Sequence, residues 1–304
     1  NVKTRNLMNL ETPIDICLYT SVIVFFLGLI GNLLSLVIHS RKNFGKNRLI
    51  FYFKILTIFD TYVLIFAPRN FIEDKLIDQL LGVSVEYFCK ISDFSIYFGC
   101  AVSAWILVII SLDRLIKMYY PMGDSFFSKP KTQYCLISVL IVFNIGYNSP
   151  LFIYPVTSPN KTNYSEAKCQ YIDELKYFWW MDLFNSTLIT FSIMIISTSM
   201  TINCLFKLKL KINKTNRRDY KFSLCSIGLN LSFFLFNMPT AVFFLVSSYV
   251  DMENDIYFFL LVLTNCLFYM NFAMMFYINF AFNSSFRREF FRLFSGENSS
   301  RSSR

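Results

Sequence analysis

Asp113 and Arg114 stand side by side where a long apolar stretch gives way to a basic segment. An acid and a base at such a boundary can restrain one another until a conformational change separates them, which makes them a candidate switch. A second candidate is a set of polar residues inside otherwise apolar stretches: Asn32, Asp60, Ser103, Asn237 and Asn271. If they converge, their oxygens suit a hard cation such as sodium, or a structural hydrogen-bond network with no ion. Asp60 is the most demanding of them, since a central acid costs about 2.5–3.5 kcal/mol on membrane-insertion scales. Cys89 and Cys169 form a third group, the only two of the eight Cys outside the apolar stretches. Catalysis has little to draw on. The chain has one His, His39, and no metal-ligand cluster, which argues against an enzyme and against any resident cofactor beyond a sodium ion at Asp60.

The elements that must position these residues follow from composition. Of 304 residues, 55% are hydrophobic and 16% charged, too apolar for a soluble chain to cover its surface with polar groups. No Asp, Glu, Lys or Arg occurs in 16–40, 94–112, 132–160, 183–206, 222–250 or 256–286. Each stretch is close to or above the roughly 20 residues that a helix needs to cross the hydrocarbon. A seventh span at 49–68 is interrupted by Lys54, near one end, and by Asp60. Seven crossings place the termini on opposite sides. With the N-terminus outside, the inner segments hold 20 Lys plus Arg and the outer ones 8, which the positive-inside rule favours. The net charge of +9 is therefore mostly a topology signal and does not point to nucleic acid. The first apolar run is too long for a cleavable signal and is expected to act as both signal and anchor. The organisation expected is an extracellular N-terminus (1–15), a bundle (16–282), an amphipathic helix on the inner leaflet (283–294) and a disordered cytoplasmic tail (295–304). In this topology Cys89 and Cys169 both face an oxidising compartment, so a disulfide between them is expected.

Several motifs fall in a fixed order along this frame: Gly31-Asn32, Leu56-Thr-Ile-Phe-Asp60, Cys89 with Cys169, Asp113-Arg114-Leu115, and Tyr120-Pro121. Pro150, Phe233-Phe-Leu-Phe-Asn-Met-Pro239 and Asn283-Ser-Ser-Phe-Arg287 follow. In this order the chain resembles the rhodopsin-like (class A) family of G-protein-coupled receptors over nearly all its length. The segment 103–111 also resembles invertebrate neuropeptide receptors. The resemblance implies an all-α membrane fold of seven helices with a short amphipathic eighth. It implies an extracellular ligand and a heterotrimeric G protein as partners, with a location in the plasma membrane. It also implies an activation switch at Asp113, Arg114, Asn237 and Pro239. Departures are several. Leu115 replaces the usual Tyr, Leu140 stands near the helix-four Trp, Asn237 takes the place of the toggle Trp, helix five has no Pro, and Met275-Phe-Tyr-Ile-Asn279 replaces Asn-Pro-x-x-Tyr.

The same resemblance narrows the ligand. Retinal proteins need a Lys in helix seven, and 256–286 has none; amine receptors carry an Asp at the position of Ile96, with Asp93 one turn higher. A peptide is the class left, and Asp93, Ile96 and Tyr269 are the candidate pocket residues. Asp251, Glu253 and Asp255 make the third outer loop acidic, which would steer a basic peptide. A transporter would be expected to show internal repeats or a charge-lined pore; no repeat is evident. A seven-helix receptor that does not couple to G proteins is consistent with the lost switch residues. The topology is testable through its sequons. Asn160→Gln with Asn163→Gln should abolish the endoglycosidase-sensitive mass shift of the cell-expressed protein. A shift that persists through Asn213, Asn283 or Asn298 contradicts the orientation.

Overall fold

In hydrocarbon a backbone N–H or C=O finds no partner except another backbone group, so apolar stretches of this length must become helices. The computed structural model describes residues 11–41, 48–67, 85–120, 126–153, 156–157, 170–171, 176–208, 216–250 and 254–295. Its helices are α1 (Glu11–His39), α2 (Ile50–Phe66), α3 (Val85–Tyr119) and α4 (Pro130–Asn148, followed by the turn Pro150–Ile153). α5 runs in three consecutive parts: Lys176–Asp182, a π-helical Leu183–Ile189 and Thr190–Leu208. α6 (Asn216–Ser247), α7 (Asn254–Phe282) and α8 (Ser284–Phe294) complete the chain order. Six of them, α1 and α3 to α7, are long and apolar enough to cross a membrane. α2 has 17 residues, and Asp60 is among its buried ones, so it too belongs to the bundle. The fold is an all-α seven-helix bundle with a short C-terminal helix.

Several helices run past the charge-free stretches, among them Val85–Tyr119 and Asn216–Ser247. α1 begins at Glu11, ahead of the charge-free stretch, because a helix continues past the hydrocarbon edge wherever its backbone bonds can still close. Among the described residues, the one interruption of the helical fold is a two-residue antiparallel ladder, β1 (Val156–Thr157) with β2 (Gln170–Tyr171), pairing Val156 with Tyr171 and Thr157 with Gln170. β1 lies against α3.

α3 is the axis of the bundle. In its apolar window 78% of the residues are buried, against 22% for α4, and it packs on α2, α4, α5 and α6. Val102, Ile106 and Ile110 of α3 are fully buried with Tyr52, Phe53 and Leu56 of α2. Val22, Phe26 and Leu33 of α1 and Val139, Val142 and Phe143 of α4 are exposed, as faces turned to lipid should be. One end of the bundle carries the ladder and the other carries α8; they are called here the ladder end and the α8 end.

At the α8 end, aromatic rings tie the last helix to the bundle. His39 stacks on Phe53 at 5.7 Å and meets Phe286 at 5.3 Å, while Phe276 meets Phe286 at 5.7 Å and Phe290 at 5.6 Å. Asn283 caps α8 by accepting from the N–H groups of Ser285 and Phe286. That capping Asn is 1% exposed, so its side chain is enclosed where α7 meets α8. Arg287 donates to the carbonyls of Phe280 and Ala281, closing the end of α7. Phe286 and Glu289 of α8 are buried while Phe291 and Phe294 are exposed, the division expected of a helix lying on a membrane surface. Glu289 accepts from Arg292 at 2.7 Å and from Arg41, just beyond α1, at 3.4 Å.

Gly28 sets the closest approach of α1 to its neighbours. A Cβ there would lie 2.7 Å from Leu64 Cδ1 and 2.9 Å from Ala273 Cβ, with the Ala273 Cα at 3.3 Å. Gly28→Val should therefore lower stability by about 1–3 kcal/mol, read as a lower melting midpoint in nanodiscs. Gly146→Ala, whose Cβ meets nothing within 4 Å, should leave the midpoint unchanged or raise it. Equal effects at the two positions would contradict this packing.

Candidate functional site

Within this frame the polar residues divide into three levels. Midway along the bundle, Ser103 of α3 donates to Asp60 Oδ1 of α2 at 2.8 Å, and both are almost wholly buried. Asn32 of α1 donates to the carbonyl of Phe272 in α7 at 3.0 Å. The expected five-residue convergence goes no further by direct bonds. Asn237 donates to the carbonyl of Phe233 in its own helix, at 2.8 Å, and Asn271 is half-buried without a hydrogen bond into the group. An Asn inside a helix can always satisfy itself on the i−4 carbonyl, and the sequence carries no sign of which choice it makes. For a hard cation the direct donor set is therefore the Asp60 carboxylate and the Ser103 hydroxyl, chemically suitable oxygens.

The second level lies closer to the α8 end. Asp113 and Arg114 are both buried, with Arg114 Nη2 2.5 Å from Asp113 Oδ2. Ser128 Oγ donates to the other carboxylate oxygen at 2.7 Å. Ser128 ends the 3₁₀ turn Phe126–Ser128 that leads into α4, and Tyr52 of α2 donates to the carbonyl of Phe127 at 2.7 Å. Asp113 is thus held from two sides, by its neighbour and by the α3–α4 connection, which α2 in turn secures. Sequence reading found the acid–base pair and missed Ser128, whose role is fixed only by the path of the connecting segment.

A residue with no sequence motif joins three helices at this level. Asn230 of α6 donates to Ser111 Oγ of α3 and to Thr198 Oγ1 of α5, each at 2.7 Å. Ser111 itself donates back to the carbonyl of Leu107. Farther along α6, Pro239 lies within the helix and removes one backbone hydrogen bond there. Beside it, Thr240 donates to the carbonyl of Thr264 in α7 at 3.0 Å. At the other end of α6, Lys221 donates to Ser284 Oγ at the start of α8. α6 is therefore linked to its neighbours by separate polar contacts on either side of a weakened point.

The third level is the ladder end. Cys89 is fully buried on α3 and is disulfide-bonded, while the other six described cysteines are free thiols. Cys169, Asn160, Asn163, Asp251 and Glu253 lie outside the described residues, and Asp255 falls in the first turn of α7. Among the candidate pocket residues, Asp93 is half-buried and Ile96 is buried on α3. Tyr269 packs instead into a cluster with Val63, Leu64 and Phe272. Asp182 of α5 was not singled out, because it sits just outside a charge-free stretch. It accepts from Ser186 Oγ at 2.7 Å and stands within electrostatic reach of Tyr97 and Tyr147.

Compared with models of known families, residues 31–274 match that of the 7 transmembrane receptor (rhodopsin family). No curated protein matches the chain. The three-helix link gives a direct test of the geometry. Asn230→Ala should lower the melting midpoint, and a double-mutant cycle with Ser111→Ala should give a coupling of about 0.6 kcal/mol and at most about 1.7 kcal/mol. Additive effects would contradict the bond.

Proposed function

Since the chain belongs to the rhodopsin family of seven-transmembrane receptors, we propose that it carries a signal across the plasma membrane from an extracellular peptide to a heterotrimeric G protein. The excess of basic residues makes the α8 end cytoplasmic and the ladder end extracellular. The observation that carries the reading is Asp113, held by Arg114 and by Ser128 where α3 meets the connection to α4. A ligand bound at the ladder end favours a second arrangement of the bundle in which α6, weakened at Pro239, swings outward. The contacts of Asn230 and Lys221 part in that movement, and the Arg114 guanidinium turns to the G protein.

Other parts of the reading fit the same scheme. The Cys89 bridge is to Cys169, supported by the residue's position directly before β2 and by the packing of β1 on α3; it holds the ladder over the ligand's entrance. Asp60 and Ser103 would hold a sodium ion, which would supply a positive charge to the buried carboxylate. The acids Asp251, Glu253 and Asp255 favour a basic peptide by steering. A second reading, a receptor that does not engage G proteins, is favoured by Asn237, which stands in place of the toggle Trp and bonds within its own helix.

Nucleotide exchange on a panel of G proteins, driven by a neuropeptide library, separates these readings. Exchange triggered by one peptide supports coupling, whereas silence with confirmed surface expression supports the second reading. In the coupled case Arg114→Ala should abolish exchange while sparing peptide binding. Asp113→Asn weakens a charge-assisted contact worth about 1.5–3 kcal/mol, so basal exchange should rise roughly tenfold. Unchanged exchange in Arg114→Ala refutes the role of that residue.

A further inference from the structure

Asp182 is the last residue of the first part of α5, directly before the π-helical segment. Its one hydrogen bond among the described residues is from Ser186, to Oδ1, and no described cation pairs with it. The ion pairs given by Arg41, Arg114 and Arg292 all lie at the α8 end. Asp182 is half-buried near the start of the Trp180–Lys207 span; a carboxylate held partly out of water without a counter-charge is unfavourable, and such residues usually face an interior path or site.

The surroundings are aromatic. Phe178, one turn before Asp182, is buried, with its ring centroid 5.9 Å from Tyr97 of α3 and 6.1 Å from Tyr147 of α4. Tyr97 and Tyr147 both stand within electrostatic reach of Asp182, and Tyr97 also within reach of Asp93, one turn away on α3. Next to Tyr147, Asn148 is fully buried with its amide oxygen unpartnered, so the same level of the bundle holds a further acceptor without a donor. Phe178, Tyr97 and Tyr147 form a ring cluster drawn from three helices, one turn of α5 from an uncompensated carboxylate, and aromatic rings beside an acid are groups that recognise an organic cation. A π-helical turn directly after the acid adds to this, since such turns recur at functional sites.

We propose that Asp182 is the anchor for a positively charged group of the ligand, an ammonium or guanidinium held against its carboxylate between the rings of Tyr97, Tyr147 and Phe178. This deepens the receptor reading and rests on it for the word ligand, but the binding site is testable without signalling. The cation donates to Oδ2 while Ser186 keeps Oδ1 oriented, and the rings exclude water from the pair. A peptide would present a Lys or Arg side chain or its own N-terminus.

The test is thermal stabilisation of the full chain in nanodiscs by small cations and their neutral counterparts. Phenethylamine is paired with 2-phenylethanol, and arginine amide with citrulline amide. Each cation should stabilise the protein in the millimolar range or below, and its neutral partner should not. Asp182→Asn should weaken cation binding at least about tenfold, and Asp182→Glu should restore part of it. Tyr147→Leu, which leaves the acid in place, should weaken the cations and not the neutral compounds, and it serves as the test if Asp182→Asn fails to fold. Equal stabilisation by neutral partners, cation binding unchanged in Asp182→Asn, or no stabilisation by any cation overturns the proposal and leaves the receptor reading untouched. Cation binding at Asp182 in a chain that never drives nucleotide exchange supports the site and counts against G-protein coupling.

Discussion

Hydrocarbon offers a polar side chain inside this bundle no hydrogen-bond partner, and that constraint bears on which helices are specifically joined. Most such side chains solve it locally. Thr57, Thr61, Asn144, Asn148, Thr201 and Asn279 each bond a carbonyl four residues back in their own helix. Among the described residues, bonds that cross between helices include Ser103 to Asp60, Asn32 to Phe272, Asn230 to Ser111 and Thr198, Thr240 to Thr264, and the weaker Cys204 to Met118 and Tyr277 to Leu27. Apolar contact between helices competes with equally apolar lipid, so these bonds, with close glycine and aromatic packing, set the arrangement.

α3 takes part in three of them, to α2, α5 and α6, and packs on four helices, which suits it as the element that reports on the whole bundle. Along one helix of 35 residues lie the disulfide-bonded Cys89, the partner of Asp60, the anchor of Asn230 and the Asp113–Arg114 pair. The distance from Cys89 to Arg114 is about 37 Å at 1.5 Å per residue. A change at one end therefore needs no long relay, because the neighbouring helices are all tied to the same rod. α6 is the exception that permits movement. The hydrogen bonds described from its side chains to α3, α5, α7 and α8 come from Asn230, Thr240 and Lys221, and Pro239 removes one backbone bond between them.

The fold was legible because it rests on long-range composition: stretches without charge, a basic excess on one side of the chain, and an amphipathic run after the last span. The acid–base pair and Asp60 with Ser103 were legible because charge inside or beside an apolar stretch stands out. Neutral amides were not. Asn237 and Asn271 were expected in the central network and are not bonded into it, while Asn230, which joins three helices, drew no attention. All three are Asn in apolar surroundings, and rotamer and helix phase decide whether each bonds its own backbone or a neighbour. Ser128 and Asp182 were missed for a different reason: one depends on the path of a connection, the other lies one residue outside a charge-free stretch.

The central claim is that the chain is a two-state bundle in which α6 separates from the rest at the α8 end. Spin labels at Tyr134 of α4 and Tyr220 of α6, in a background whose accessible free cysteines are replaced by serine, measure that separation by pulsed electron resonance in nanodiscs. Addition of a nucleotide-free heterotrimeric G protein should create or enrich a longer-distance population. A single distance that no G protein in the panel alters would contradict the account.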